Sequence, residues 1–497
     1  MGIETVLDMA LSVHPDRVVV GRRSSGLTCV RLDDLASRGA TVLREHDARH
    51  AVFVGVNGPA LPVLTFATAR AGIPIAPLNY RLPTDQLASL VAQLDRPVVI
   101  ADPVYAEKLT GVADTVLTTD EFLGAATSAE RSEFTAAGDD ATAVVLFTSG
   151  TTSAPKGVLL RHRNLLSYLF NTVEFASAGE DQAALVSTPP YHIAGMGAVL
   201  SNLYSGRRMV YLPDFSPQGW LDLVREEGVT SAMVVPTMLA RVVEHLKGAP
   251  ARTPALASLA YGGARMPQPV LERALAAFPD TGFVNAYGLT ETSSTIAVLG
   301  PKDHRDAIAD PELRARLSSV GRVVPGMEVQ IRADDDTTVL PDGATGLLWV
   351  RGAQVSGEYM GKGTVLDENG WFPTRDRARL EDGYLYIGGR ADDTIIRGGE
   401  NIAPAEIEDV LVRHDGVREV AVVGLPDDEW GERICAAIVP EPGVALEPEQ
   451  IRTWCRARLR GSRTPDDVIF VDDLPRTPTG KLVRRDLVSQ VESAASV

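Results

Sequence analysis

Short apolar runs that end in glycine, proline or serine recur through the first four fifths of the chain. Between several of them lie stretches with the spacing of apolar residues that is typical of a helix. This alternation predicts parallel sheets flanked by helices, with ligands bound at the carboxyl ends of the strands. The runs are AVFVGVNGPA, PVVIADP, SAMVVPT, LASLAYGGA and GFVNAYGLTE, and the helical stretches include LPVLTFATARAG, GWLDLVREEG and PVLERALAAFP.

The pattern changes twice toward the C-terminal end. From about Gly321, alternating residues are interrupted by Asp, Pro and Gly, which predicts β-hairpins in a β-rich subdomain. After YLYIGGRADD the order becomes helix, strand, strand, helix and strand. We therefore place a domain boundary near Gly389, between residues 1–388 and residues 389–497. Residues 125–140 are predicted to form an exposed loop and residues 491–497 a frayed tail.

The composition is that of an ordinary globular protein, since 45% of the 497 residues are hydrophobic. The 48 Lys and Arg residues against 65 Asp and Glu residues give a net charge of −17, which disfavours nucleic acid and anionic membranes as partners. Three cysteines without CxxC spacing indicate neither a disulfide framework nor a zinc site and favour a reducing cytoplasm. No apolar run approaches the roughly 18 residues of a membrane span, so we expect no stable membrane anchor.

One stretch predicts an anion site. In VVLFTSGTTSAPKG, residues 144–157, an apolar strand ends in hydroxyls and glycines that are followed by Lys156. Backbone amides and hydroxyls suit phosphate oxygens, glycine allows close approach, and lysine adds a positive charge. The Walker pattern GxxxxGK[ST] does not fit, because Pro155 precedes the lysine and Gly157 follows it. Taken alone, such a cluster is more often an ordinary polar turn.

Seven motifs in one order strengthen the phosphate interpretation, although each is weak by itself. Together they resemble the adenylate-forming superfamily of acyl-CoA synthetases, peptide-synthetase adenylation domains and firefly-type luciferases, and the resemblance spans most of the chain. The motifs are FTSGTTSAPKG (147–157), PPYHIAG (189–195), AYGGA (260–264), NAYGLTET (285–292), WFPTRD (371–376), GGRADDTIIRGGENIAPAEIE (388–408) and PRTPTGK (475–481).

The resemblance implies an α/β fold with a large N-terminal domain, residues 1–388, made of two α/β sheet subdomains and a β-rich subdomain. A small mobile α+β C-terminal domain, residues 389–497, would complete it. The implied reaction is a two-step ligation. A carboxylate attacks the α-phosphate of ATP and releases pyrophosphate, and a thiol then captures the acyl-adenylate. The implied cofactors are ATP/AMP, coenzyme A and Mg²⁺.

The resemblance also implies roles at the nucleotide. Thr290 would reach the α-phosphate, Glu291 would bind Mg²⁺ directly or through water, and Tyr287 would lie against the adenine. Asp376 would accept both ribose hydroxyls, and Arg390 would lie near the ribose or a phosphate. The remaining nucleotide-binding residues would be Thr148, Ser149, Gly150, Thr151, Thr152 and Lys156 of the phosphate loop, and Gly262, Gly263, Ala264, Asn285, Ala286 and Gly288 of the two AYG motifs.

Residues of the small domain are implied to act in both steps. Lys481 would enter the site and stabilise charge at the α-phosphate, and the domain would then rotate about Asp392. After the rotation, Gly398, Gly399 and Glu400 would belong to the face that lines a pantetheine tunnel for coenzyme A.

The motif PPYHIAG indicates which class of carboxylic acid is the substrate. Amino-acid-activating relatives usually carry an aspartate at about the position of His192, so its absence favours an acid without an α-amine. We interpret His192 as a gate of the acyl pocket, although a histidine taken alone is more often packed or on the surface. No carrier domain follows residue 497, so coenzyme A is the expected thiol, and association into a homo-oligomer stays open. Small residues expected to leave room for a bulky or extended apolar acyl group, whether fatty, aromatic or polycyclic, are Ala194, Gly195, Gly197, Ala198, Gly262, Gly263 and Ala264.

Two positions beside the nucleotide depart from the family's usual residues. Ser153 replaces the third glycine of the loop, and Arg375 replaces the glycine of TGD. Arg375 could pair with Asp376, bind a phosphate or point to the surface. These departures leave two alternatives open: an enzyme that only transfers a preformed acyl-adenylate to coenzyme A, and a non-catalytic nucleotide-binding relative. The retained residues Glu291, Asp376, Arg390 and Lys481 speak against the second.

Overall fold

The computed structural model describes residues 1–134, 137–148, 155–398, 400–477 and 480–495. Strands and helices alternate in the first part of the chain, as the apolar pattern predicts. The helices are α1 (Glu4–Val13), α2 (Cys29–Glu45), α3 (Ala60–Ala71), α4 (Thr84–Val91), α5 (Pro103–Leu109), α6 (Thr119–Ser128) and α7 (His162–Thr172). The strands are β1 (Val18–Val20), β2 (Leu27–Thr28), β3 (His50–Val54), β4 (Ile75–Pro77), β5 (Pro97–Ala101), β6 (Thr115–Thr118), β7 (Thr142–Thr148) and β8 (Lys156–Arg161).

The same alternation continues to about residue 320. Here the helices are α8 (Ile193–Ser205), α9 (Pro217–Glu226), α10 (Pro236–Leu246), α11 (Gln268–Ala277) and α12 (Pro301–Ala309), with 3₁₀ turns at Thr290–Thr292 and Pro311–Ser318. The strands are β9 (Ala183–Val186), β10 (Arg208–Tyr211), β11 (Ser231–Val234), β12 (Ser258–Gly262), β13 (Gly282–Leu289), β14 (Ser294–Leu299) and β15 (Arg322–Val323).

Two sheets form the body of this part. The first has the order β6, β5, β3, β4, β7, β8, and its strands from β6 to β7 run parallel. The second has the order β2, β1, β10, β9, β11, β12, β13, β14, β15 and is parallel from β1 to β13. Fully buried side chains of α3 and α8, including Leu61, Phe66, Met196 and Leu200, belong to one apolar core. Because β12 and β13 pair in parallel, their carboxyl ends lie at the same edge of the second sheet.

A β-rich part follows, as the alternating pattern predicts. Its strands are β16 (Met327–Arg332), β17 (Thr345–Gly352), β18 (Glu358–Tyr359), β19 (Gly363–Thr364), β20 (Phe372–Glu381) and β21 (Tyr384–Arg390). Strands β16, β17, β20 and β21 form an antiparallel sheet, whereas β18 and β19 extend the first sheet by pairing β18 with β8. The segment around β18 thus connects the β-rich part to the hairpin of β7 and β8.

A helix, two strands, a helix and a strand occur in the predicted order in the C-terminal part, but a hairpin at residues 395–402 precedes them and a helix at residues 484–495 follows them, and neither was predicted. A 3₁₀ turn, Ala391–Asp393, leads from β21 into it, and a second 3₁₀ turn is Gly461–Arg463. The strands are β22 (Ile395–Arg397), β23 (Glu400–Ile402), β24 (Val417–Asp427), β25 (Gly431–Pro440) and β26 (Asp467–Phe470), and the helices are α13 (Pro404–Leu411), α14 (Pro448–Arg456) and α15 (Arg484–Ala495). The division at residues 388 and 389 falls inside β21, which pairs with β20 as far as Arg390.

Two local predictions need correction. Part of the loop predicted at 125–140 is helical, because α6 extends to Ser128; it is started by a reciprocal cap between Thr118 and Glu121, and it buries Ala126. The tail predicted at 491–497 is helical as far as Ala495, because Val491 packs into a core of the C-terminal part. Among the described residues, no helix has both the length and the apolar character that a membrane crossing requires.

Candidate active site

Tyr287 and Arg390 converge on Asp376 from two different sheets. Asp376 on β20 lies opposite Arg390 on β21, whereas Tyr287 is on β13. The Tyr287 hydroxyl donates to Asp376 Oδ2 at 2.5 Å, and Arg390 Nη1 donates to Asp376 Oδ1 at 3.1 Å. Asp376 is only 4% exposed, so these two donors fix the direction of its carboxylate.

Burial and charge oppose one another at this centre. Burial raises the pKa of Asp376, while the Arg390 charge and the Tyr287 hydrogen bond act in the opposite direction. Burial, and then the charge of Asp376, raise the pKa of Tyr287 well above its ordinary value, so its hydroxyl remains a donor. Each carboxylate oxygen retains a further lone pair. Arg390 Nε is buried without a hydrogen-bond partner among the described residues, so the guanidinium can donate to one more acceptor.

The turn Thr290–Thr292 follows β13 directly and places Thr290 and Glu291 at the carboxyl end of that strand. The Tyr359 hydroxyl donates to Glu291 Oε1 at 2.8 Å. Burial, and then the Glu291 charge, raise the pKa of Tyr359, so this donor stays protonated. In the described part of the chain, no cluster of three or more His, Cys, Asp or Glu could hold a metal. Tyr359 engages only Oε1 of Glu291, so Oε2 is the carboxylate oxygen that could accept a hard cation such as Mg²⁺.

Lys481 reaches the same cleft from the C-terminal part of the chain. Its charge acts on both Asp376 and His192, and the charges of Glu291 and Arg390 act on Lys481. Burial, and then Arg390, lower the pKa of the Lys481 ammonium, and the carboxylates oppose this shift. The side chain still has exposed surface. Lys481 is therefore partly open to solvent and lies within electrostatic range of several charged groups.

Contacts between the two parts of the chain hold the turn that carries Lys481. Gly480 has φ +80° and lies so close to Thr237 of α10 that an added Cβ would stand 2.4 Å from Thr237 Oγ1. Arg265 and Asp409 form an ion pair across the same junction. Glycine at position 480 thus meets two requirements at once, a left-handed backbone and a close approach.

His192 caps the N-terminus of α8. Its Nδ1 accepts a hydrogen bond from the backbone N–H of Ala194 at 3.2 Å, so the proton of the neutral ring is on Nε2. Burial, and then the Lys481 charge, lower the pKa of His192, which keeps the ring neutral. The histidine therefore has a structural role as a cap, and its role as a gate stays a prediction.

The small residues of the pocket motifs do not all leave space. A Cβ on Gly195 would lie 2.7 Å from the carbonyl oxygen of Pro189, and a Cβ on Gly262 would lie 2.3 Å from that of Ala286. These two glycines serve close backbone packing, and the expectation that they leave room for the acyl group is wrong. Gly197 differs, because it is buried and an added Cβ would meet no described atom within 4 Å.

The other predicted nucleotide residues lie where strands end. Thr148 closes β7 opposite Lys156 of β8, so the two form the base of the phosphate-loop hairpin. Gly262 ends β12 and is followed by Gly263, whose φ is +81°. Ala264 follows them, and Asn285, Ala286 and Gly288 lie in β13. The loop residues Ser149, Gly150, Thr151, Thr152 and Ser153 lie outside the described residues.

The residues predicted for the tunnel lie in the hairpin of β22 and β23. The Gly398 N–H donates to the Trp430 carbonyl at 2.8 Å, and a Cβ on Gly398 would stand 3.0 Å from the Trp430 ring. Glu400 pairs with Arg463, which lowers the pKa of Glu400. Gly399 lies outside the described residues.

Arg375 has a left-handed backbone, with φ +62°. Its guanidinium lies 3.9 Å from Asp392 Oδ2 and its side chain is 68% exposed, whereas Asp376 is engaged by other residues. The sequence left open three positions for the Arg375 side chain. The structure excludes one of them, an ion pair with Asp376.

Two residues at the site were missed from the sequence, Tyr359 and Thr237. Neither belongs to the seven motifs. Tyr359 is 68 positions from Glu291 in the chain. The pairing of β18 with β8, and backbone hydrogen bonds from the same segment to Glu291, bring it to the site. A tyrosine between two short polar segments gives no periodic signal that could have revealed this.

Comparison with known proteins identifies the family. Residues 7–360 match the family described as AMP-binding enzyme, and residues 406–481 match the AMP-binding enzyme C-terminal domain. The chain belongs to the AMP-binding enzyme family. This confirms the resemblance to the adenylate-forming superfamily, and the relatives named next fit its acyl-CoA synthetase branch.

Named relatives of this AMP-binding enzyme are ligases of carboxylic acids. It is 32% identical over 495 residues to a feruloyl-CoA synthase of an Amycolatopsis species, with 96% of each chain covered. It is 29% identical over 515 residues to an indoleacetate–CoA ligase of Aromatoleum aromaticum, with 99% of this chain and 98% of the relative covered.

Solved structures share its fold over nearly the whole length. ATP-bound MatB from Rhodopseudomonas palustris superposes with a TM-score of 0.89 at 26% identity, covering 99% of both chains. The apo form of the same protein, also at 26% identity and 99% coverage of both chains, gives a TM-score of 0.79. An o-succinylbenzoate CoA synthetase from Bacillus subtilis, in complex with its acyl-adenylate intermediate, gives 0.84 at 27% identity and 97% coverage of both chains.

Proposed function

We propose that this AMP-binding enzyme is an ATP-dependent acid–thiol ligase that forms an acyl-adenylate and passes the acyl group to coenzyme A. One observation carries the proposal. Lys481, near the C-terminal end of the chain, acts electrostatically on Asp376 and His192 of the larger part, and Glu291 and Arg390 act on it in turn. A cation placed near the buried carboxylate of Asp376, the guanidinium of Arg390 and the carboxylate of Glu291 suits the attack of a carboxylate on a polyphosphate.

The centre at Asp376 would bind the nucleoside. Tyr287 and Arg390 orient its carboxylate, and the remaining lone pairs can accept the two ribose hydroxyls. The unpaired Arg390 Nε would donate to a ribose or phosphate oxygen. The ring of Tyr287, held by its hydroxyl, would lie against the adenine.

A second group of residues would bind the phosphates of ATP. Lys481 would stabilise the charge that develops on the α-phosphate, and Thr290 would donate its hydroxyl there. Lys156 and the hairpin of β7 and β8 would hold the β- and γ-phosphates. Mg²⁺ at Glu291 would neutralise part of the phosphate charge.

We infer that the two parts of the chain are arranged as for the first step, and one comparison supports this inference. The TM-score against ATP-bound MatB, 0.89, is higher than that against the apo form of the same protein, 0.79. The thiol step would then require a rotation of the C-terminal part about Asp392, in the turn between β21 and β22. After rotation, the segment with Gly398, Gly399 and Glu400 would line the path of the coenzyme A pantetheine.

The acid would enter beside His192. Since no carboxylate stands at this position, the proposed substrate is an acid without an α-amine. The open space at Gly197 supports an acyl group that reaches α8. The free buried cysteines Cys29, Cys435 and Cys455 agree with the proposed cytoplasmic location.

A transferase that has lost adenylation finds no support at Arg375, because its guanidinium does not occupy Asp376. The named relatives also favour the complete ligase. The proposed function is tested by measuring pyrophosphate exchange and thioester formation separately in the unmutated protein. The acids to be tried are ferulate, indoleacetate, 2-succinylbenzoate and a fatty acid. We expect acid-dependent pyrophosphate exchange with ATP, and thioester formation when coenzyme A is added. Thioester formation only from supplied acyl-adenylate would contradict the proposal.

A further inference from the structure

Tyr359 is the residue that holds the side chain of Glu291. Its hydroxyl donates to Glu291 Oε1 at 2.8 Å, which leaves Oε2 as the oxygen not engaged by Tyr359. The hydroxyl is the polar tip of an otherwise apolar ring that packs, partly buried, against the core formed by α3 and α8. A fixed donor on one oxygen sets the plane of the carboxylate and hence the direction of the other oxygen.

The backbone of Glu291 is held by the same segment. Its carbonyl accepts hydrogen bonds from the N–H groups of Ser356 at 2.8 Å and Gly357 at 3.4 Å. The residues from Ser356 to Tyr359 thus fix the glutamate at both its backbone and its side chain. Glu291 itself is partly exposed, so without these contacts its long side chain would be free to change rotamer.

This segment is also joined to the hairpin that carries the phosphate loop. Tyr359 pairs with Val158 of β8, and the Met360 N–H donates to the Gly157 carbonyl at 2.8 Å. Its neighbour Glu358 accepts two hydrogen bonds from Arg161, each 2.9 Å long. The donor on Glu291 is therefore fixed to the strand that begins with Lys156.

We propose that Tyr359 is a positioning residue for the metal and the triphosphate. Its hydroxyl holds Glu291 so that Oε2 faces a divalent cation bound between this carboxylate and the phosphates on the β7–β8 hairpin. The inference rests on the proposed function, since it assumes that Glu291 binds Mg²⁺ with ATP. Tyr359 lies outside the seven motifs, and it connects the motif that contains Glu291 with the motif that contains Lys156.

The test is Tyr359→Phe, which removes one oxygen and keeps the ring. We expect the Mg²⁺ concentration for half-maximal ATP binding, measured by calorimetry, to rise about tenfold, as for other residues that orient a metal ligand. Pyrophosphate exchange should show the same shift and recover at high Mg²⁺. Thioester formation from supplied acyl-adenylate should change less than about twofold.

Tyr384→Phe is the matched control. The Tyr384 hydroxyl also donates to a carboxylate, Asp303 Oδ1, at 2.7 Å, and the residue is buried. This variant should leave the Mg²⁺ dependence unchanged while losing a comparable hydrogen bond. An equal Mg²⁺ shift in both variants would overturn the proposal, because it would then report a general loss of stability.

A double-mutant cycle with Glu291→Gln tests the proposal even if Tyr359→Phe alone folds poorly. If Tyr359 acts through Glu291, its replacement has no further effect on Mg²⁺ dependence in the Glu291→Gln background, whereas independent effects would contradict the proposal. A parent protein that binds Mg²⁺ and ATP without exchanging pyrophosphate would contradict the proposed function alone. A parent that binds ATP equally well with and without Mg²⁺ would contradict the role of Tyr359.

Discussion

The Arg375 guanidinium lies 3.9 Å from Asp392 and so bridges the strand that carries Asp376 to the turn proposed as the hinge. The pair is open to solvent, and such pairs contribute about 0–1 kcal/mol. The arginine also has φ +62°, a conformation that suits glycine. Position 375 therefore combines a weak electrostatic contact with a strained backbone.

Replacing Arg375 by Gly and by Ala separates these two effects. Both variants lose the contact with Asp392, but only glycine relieves the left-handed strain. We expect the Gly variant to be more stable than the Ala variant by about 1 kcal/mol in chemical denaturation. Pyrophosphate exchange should stay within about threefold of the parent in both. A rise of more than about tenfold in the Gly variant would revive the interpretation that Arg375 impairs the use of ATP.

Replacing Asp392 by proline tests the hinge. Proline fixes φ in the turn Ala391–Asp393, so rotation of the C-terminal part should be hindered. We expect pyrophosphate exchange within about threefold of the parent, and thioester formation from supplied acyl-adenylate slower by on the order of tenfold. Asp392→Ala, which loses only the contact with Arg375, serves as the control. Normal thioester formation in the proline variant would place the hinge elsewhere.

Replacing Gly480 by alanine tests the contact that holds the Lys481 turn. The new Cβ would collide with Thr237, and the left-handed backbone adds about 1 kcal/mol of strain. We expect pyrophosphate exchange to fall about tenfold or more, with a partial recovery when Thr237→Ala is added. Gly443→Ala is the matched control, because Gly443 has φ +79° and a Cβ there would meet nothing within 4 Å. A similar loss of pyrophosphate exchange in Gly480→Ala and Gly443→Ala would show that backbone strain alone is responsible, and not the contact with Thr237.

Much of the fold could be predicted from the sequence, because the alternation of apolar runs and helices determines a parallel sheet. The strand before the phosphate loop follows this pattern, and the helix, two strands, helix and strand between residues 404 and 470 occur in the predicted order. The exceptions are local. The helix α6 extends through small residues that resemble a loop in composition, and its start depends on a cap between Thr118 and Glu121.

The site was predictable only in part. Motif order indicated Asp376 and Lys481, but not that Tyr287 and Arg390 would occupy both oxygens of Asp376. Contacts between distant segments, such as Tyr359 with Glu291, depend on strand pairing that leaves no local pattern. The direction of the Arg375 side chain likewise depends on a backbone angle that composition does not reveal.

The central claim is that Lys481 belongs to the conformation that makes the acyl-adenylate. Its most direct test is Lys481→Ala, assayed separately for pyrophosphate exchange and for thioester formation from supplied acyl-adenylate. Loss of one fixed cation should cost about 3 kcal/mol in the first reaction, or roughly 100-fold in rate. Lys302→Ala, which removes an exposed lysine of α12 that pairs with Asp306, is the control. A large loss in exchange with transfer preserved is the predicted result, and equal losses in the two reactions would contradict the account.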